Sequence, residues 1–116
     1  LINPKTIISY EDFARVDLRS GIIVKAENFP RAKNPSFKIY ADFGPDIGIL
    51  QTSAQVTVHY SCEELIGKKI IGCVNLGEKN IAAFISQFLL VGFSDESGAI
   101  LLASMDQRVP NGQKLH

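Results

Sequence analysis

Between Val16 and Glu27 apolar and charged residues take turns: Val16, Leu18, Ile22, Val24 and Ala26 stand against Asp17, Arg19, Lys25 and Glu27. A period of two over that length is the mark of a β-strand with one buried face. Gly21 interrupts the pattern, and an isolated glycine within a strand predicts a bulge or a sharp bend of the kind small barrels use. The same alternation returns at Phe37, Ile39, Ala41 and Phe43 against Lys38, Tyr40 and Asp42, after a loop punctuated by Phe29-Pro30 and Asn34-Pro35. Gly44-Pro45-Asp46 turns the chain into a third strand over 47–53. Residues 55–66 are expected to form a short helix ending near Gly67, followed by strands over 69–76 and 88–93, with a turn at 77–80 between them. A further turn at 95–98 leads into Ile100, Leu101 and Leu102. Ser9-Tyr10-Glu11-Asp12 resembles a capping box, so one helical turn over 10–14 is expected, with Phe13 facing inward. Three strands, a helix and two closing strands have the connectivity of a five-stranded Greek-key barrel, all-β with short helices.

The length of 116 residues suits one domain over 1–116, with an N-terminal extension at 1–9 and a C-terminal one at 98–116. No run approaches the roughly 18 apolar residues of a membrane helix, so no membrane insertion is expected. Leu1 to Ile8 carry Asn3, Pro4 and Lys5 and do not read as a signal peptide. Cys62 and Cys73 have no second Cys or His pair beside them, which fits reduced thiols in a cytoplasmic protein. The formal net charge is zero, yet residues 15–38 hold six basic side chains (Arg15, Arg19, Lys25, Arg31, Lys33, Lys38) against Asp17 and Glu27.

Catalysis finds no foothold. There is no Gly-x-Ser-x-Gly elbow and no phosphate loop. His59 and His116 are the only imidazoles, so neither a metal site nor a cofactor is expected. Glu11-Asp12 and Glu63-Glu64 are adjacent pairs that cannot face each other, and near helix starts acids meet the dipole favourably. Ser53 and Ser86 lack a neighbouring base. What remains is binding by a protein that is not an enzyme. Lys38 and Tyr40 share one face of their strand, where a cation can meet a phosphate and a ring can stack on a base; the plain alternative is a solvated strand face covered by a tyrosine.

Asp17-Leu18-Arg19-Ser20-Gly21-Ile22-Ile23-Val24, Phe29-Pro30-x-Ala32 and Asp42-Phe43-Gly44 resemble the opening of the tRNA-binding-domain family, which includes the C-terminal domain of bacterial methionyl-tRNA synthetases. Gln51 to Thr57, Gly67-Lys68-Lys69, Asn75-Leu76, Ser86-Gln87-Phe88-Leu89 and Pro110-Asn111-Gly112 continue in order, and Phe88-Leu89 is similar to the CsaA-like branch. The resemblance implies an oligonucleotide-binding (OB) fold that works as a homodimer. It implies tRNA as partner, bound by shape and phosphate backbone, with Arg19, Lys33, Lys38, Ser53, Gln55, Lys79 and Ser86 facing the RNA. It also implies an interface that uses Ile7, Ile8, Ile100, Leu101 and Leu102. The CsaA likeness implies an alternative: an export-related chaperone holding unfolded or extended polypeptide in apolar grooves of the dimer. Leu50 and Glu78 stand where the family often carries basic side chains.

Overall fold

The computed structural model describes residues 4–116, so positions 1–3 of the expected 1–9 extension lie outside the described residues. Ser9 caps the helix α1 (Tyr10–Ala14), its Oγ accepting from the Asp12 amide at 3.1 Å. Phe13 does not face inward: it is half exposed and its ring lies tilted against Tyr10 at 6.5 Å, because a five-residue helix on the outer wall buries none of its side chains.

Strand β1 (Leu18–Asn28) organises the barrel. Its first half pairs with β4 (Lys69–Cys73) and its second half with β2 (Phe37–Asp42), both antiparallel. One strand serves two neighbours in this way only if it bends between them. The bend is a bulge between Ile23 and Lys25. It moves the inward face from odd positions (Gly21, Ile23) to even ones (Ala26, opposite Ile39); ahead of it Ile23 is buried in the core while Val24 is 41% exposed, the reverse of what the alternation in the sequence predicts.

Gly21 has a different task. A Cβ there would lie 2.9 Å from the Phe43 ring, and one at Gly72 on β4 would lie 2.6 Å from the same ring. The two glycines are the floor on which Phe43 packs, edge-on to Phe88 at 4.9 Å.

β2 continues through a turn at Gly44–Gly48 into β3 (Ile49–Ala54), with Lys38 opposite Ser53 and Tyr40 opposite Gln51. The helix expected over 55–66 shrinks to α2 (Cys62–Leu65), started by a capping box of Ser61 and Glu64. Val56 and Tyr60, which a longer helix would have used, serve the barrel from irregular chain instead: Val56 is buried, and the Tyr60 hydroxyl accepts from the Leu102 amide at 3.0 Å. After β4, where a plain turn was expected, a hairpin rises: β5 (Lys79–Ile81) pairs with β6 (Phe84–Ser86). The expected strand over 88–93 splits at Val91. Its first part, β7 (Leu89–Leu90), pairs with β4, and the second, β8 (Gly92–Ser94), pairs with β9 (Ile100–Leu102).

The main sheet runs β3-β2-β1-β4-β7. Its two edges meet where the Gln87 amide donates to the Gln51 carbonyl at 2.8 Å and the Thr52 hydroxyl donates to the Phe88 carbonyl at 2.6 Å. The result is a five-stranded, nearly closed antiparallel barrel, as the order of elements in the sequence predicts. Ile23, Ile39, Phe43, Leu65, Ile70 and Phe88 are among the residues that fill it. Past β9 the chain returns as a strap along the exposed edge of β1: Gly112 and Leu115 donate amides to the carbonyls of Ser20 and Leu18, and Ser20 donates back to Gln113.

Candidate functional site

Strand parity decides which side chains look outward. On β2 the odd positions are buried and Lys38 and Tyr40 face out, as the alternation predicts. Cross-strand neighbours share a face, so Ser53 joins Lys38 and Gln51 joins Tyr40. The β5–β6 hairpin extends this surface: Lys79 pairs with Ser86, whose hydroxyl lies 2.9 Å from that of Thr52. Lys33, in the loop between β1 and β2, and Gln55, just past β3, complete one rim. With Ser53 they line a cleft of about 440 Å³ floored by Val56, Ile81, Leu89, Leu90 and Ile100. Lys33, Ser53 and Gln55 thus share the cleft; Lys38 is the cross-strand neighbour of Ser53 and of Glu27, and Lys79 that of Ser86 on the separate hairpin. Among the described residues, Lys33, Lys38 and Lys79 have no carboxylate within ion-pair distance.

Arg19 stands elsewhere. It is the second residue of β1, at the end of the barrel where β2 turns into β3. Its guanidinium donates to Asp17 at 2.6 and 3.3 Å and to the Gly112 carbonyl at 3.0 Å. The Asp17 hydrogen bond raises its pKa further above the ordinary value. Asn75 works at the same end, accepting from the Asp17 amide at 2.9 Å and donating to the Arg15 carbonyl at 2.6 Å. Leu50 faces inward opposite Ala41 and packs on the core, so a basic side chain at this position would have no outward aim. Glu78 is exposed just before the hairpin.

An aromatic cluster stands over the Lys38 side of the surface, and sequence reasoning missed it. Phe84 of the hairpin sits edge-on to Phe29 at 5.4 Å and to Tyr40 at 6.3 Å. The Lys38 ammonium lies 5.0 Å from the Phe29 ring centre and 5.2 Å from that of Phe84, and Lys25 stands 5.0 Å from that of Tyr40. Burial first, then its hydrogen bond to Glu27 at 3.0 Å, raises the Tyr40 hydroxyl above its ordinary pKa. The overlooked signal was local: Lys79-Asn80-Ile81 and Phe84-Ile85-Ser86 flank two alanines, a hairpin without the usual Asn-Gly turn.

Of the apolar residues expected at an interface, Ile7, Ile8 and Leu101 are exposed, and Leu101 pairs with the exposed Phe93. Ile100 and Leu102 instead pack against the core. On the same hairpin, Asp95 accepts from Ser97 and meets His59 Nε2 at 2.6 Å, which holds its carboxyl well below the usual carboxylate range. Cys73 is buried and Cys62 half-buried, both as free thiols. Among the described residues no three His, Cys, Asp or Glu side chains converge on a point.

Residues 18–114 match the family described as "Putative tRNA binding domain". The methionine–tRNA ligase of Methanococcus maripaludis is 38% identical over 110 residues, which make up 95% of this chain and 16% of that protein. That of Flavobacterium johnsoniae is 31% identical over 108 residues, 93% of this chain and 15% of that protein. The chain therefore spans about a sixth of these curated relatives. Among solved structures, the chaperone CsaA of Bacillus anthracis superposes with a TM-score of 0.89 at 38% identity, covering 96% of this chain and 100% of that one. CsaA of Picrophilus torridus gives 0.88 at 39%, covering 95% and 100%.

Proposed function

The chain belongs to the tRNA binding domain family, and on that premise we propose that it is a non-catalytic, cytoplasmic module that binds tRNA by shape and phosphate backbone, as a homodimer. The observation that carries the reading is that Lys33 in the cleft, Lys38 on the strand surface and Lys79 on the hairpin have no carboxylate at ion-pair distance among the described residues and stand near Ser53, Gln55 and Ser86. Lysines neutralise phosphates and release their counterions; the hydroxyls and the amide reach sugar and base edges. Arg19 enters as a brace of the strap, outside this contact set. Ile7, Ile8 and the Phe93–Leu101 pair are apolar surface that a second copy covers.

The test is tRNA retention against salt. Three neutralised phosphates predict a log–log slope of about −2 to −3. Absence of binding at low salt sinks the reading, and a monomer by light scattering removes its dimer.

A second reading is favoured by the likeness to the CsaA chaperones and by the apolar floor of the cleft: the module holds extended polypeptide segments, as in protein export. Suppression of aggregation of an unfolded client, insensitive to salt, supports it. A client that aggregates at the same rate with and without the protein contradicts it.

A further inference from the structure

The outward pair of Lys38 and Tyr40 has the makings of a platform for phosphate and base, yet in the folded chain it is half-buried. The β5–β6 hairpin lies over it and inserts Phe84, which is 7% exposed. This ring has Phe29 on one side at 5.4 Å, Tyr40 on another at 6.3 Å and the Lys38 ammonium at 5.2 Å. Two aromatic neighbours and a cation are what single-strand-binding proteins offer a nucleobase.

The hairpin that delivers Phe84 lies outside the hydrogen-bonded barrel sheet. β5 and β6 pair only with each other and join no larger sheet. Besides Phe84, the hairpin is tied down by Gln51 Nε2, which donates to the Ile85 carbonyl at 2.9 Å, and by the contact between the Thr52 and Ser86 hydroxyls at 2.9 Å. At the tip Ala82 and Ala83 hold φ of 49° and 66°, a left-handed region that a Cβ disfavours. Strain of this kind gathers at ligand clamps and switch segments.

We infer that Phe84 is the resident occupant of an aromatic slot between Phe29 and Tyr40, whose rings meet it edge-on, and that an unpaired nucleobase of a bound RNA takes the slot by displacing the hairpin. The inference rests on the RNA-binding reading above and adds the ligand class: a single-stranded segment with an unstacked base, rather than a duplex. One aromatic surface leaves as another arrives, so the exchange is close to balanced, and Lys38 gains a phosphate while keeping a ring beneath it.

The test titrates a short oligouridylate into the wild-type chain, Phe84→Ala and the double variant Phe84→Ala/Tyr40→Ala, with thermal melts to confirm folding and tRNA retention measured on each. Phe84→Ala is expected to bind the oligonucleotide several-fold tighter, with the gain lost when Tyr40 is also removed. A folded Phe84→Ala protein with equal or weaker binding, or a gain that survives loss of Tyr40, overturns the slot. If Phe84→Ala does not fold, the wild-type chain saturated with tRNA decides. Displaced Phe84 ring resonances and faster amide exchange at Ala83 and Ile85 support the slot, and unchanged ones overturn it. Null results at Phe84 with tRNA still retained refute the slot alone. Loss of tRNA retention by the wild-type chain refutes the RNA-binding reading, and the slot with it.

Discussion

At the end of the barrel where β2 turns into β3, two cations have internal partners: Arg19 holds Asp17 and the Gly112 carbonyl, and the Lys69 ammonium donates to the Val109 carbonyl at 2.6 Å and to Asn111 Oδ1 at 3.3 Å. Both fasten the returning C-terminal strap. At the other end Lys33, Lys38 and Lys79 face a cleft and an outward strand surface with no carboxylate at ion-pair distance among the described residues, Glu27 opposite Lys38 being held by the Tyr40 hydroxyl. A run of basic residues in a sequence is therefore not one patch. The fold divides it into cations that hold the chain to itself and cations left for a partner.

The sharpest way to break the comparison is to damage the strap and ask whether the far end notices. Gly112 has φ +88°, and a Cβ there would lie 2.5 Å from the Phe43 carbonyl oxygen. Gly112→Ala is expected to lower stability by about 3 kcal/mol, from left-handed strain plus a clash that backbone must absorb. Chemical denaturation measures it. Affinity for tRNA, measured where the variant is still folded, is expected to change less than about twofold. A smaller structural effect is expected from Arg19→Ala, which leaves the Asp17 carboxylate with one charged donor fewer and costs about 1–2 kcal/mol. Its tRNA binding should keep the wild-type salt slope; a shallower slope would move Arg19 into the RNA contact set.

The smallest effect concerns pH. Hydrogen bonds from Ser97 and His59 depress the Asp95 pKa in the folded chain. A depressed carboxylate contributes stability above its unfolded pKa of about 3.9 and loses it as pH falls below that value. Asp95→Asn is expected to be less stable than wild type near neutral pH, with the gap closing in acid. Because Gly92 and Ile100 of the same hairpin line the cleft, a stability gap that is constant with pH would show that Asp95 does not help to hold that wall by its charge.

Much of the barrel was legible. β2 and its outward Lys38–Tyr40 pair follow from strict alternation, and Ser53 falls beside Lys38 through strand pairing. The bulge at Val24 was not legible, since consecutive Ile22, Ile23 and Val24 fit either face and only the two-sided pairing of β1 chooses between them. The role of Arg19 was hidden because its carbonyl partner lies 93 residues away in sequence. The hairpin over Tyr40 was hidden because its turn is made of alanines in a conformation that composition does not advertise.

The most direct measurement is the salt dependence of tRNA affinity for the wild-type chain beside the Lys33→Glu/Lys38→Glu variant. If these lysines contact phosphate, low-salt affinity falls tenfold or more and the log–log slope shrinks by about 2, measured on a variant whose thermal melt shows it folded. An unchanged slope in a folded variant, or no tRNA binding by the wild type at low salt, would contradict the account.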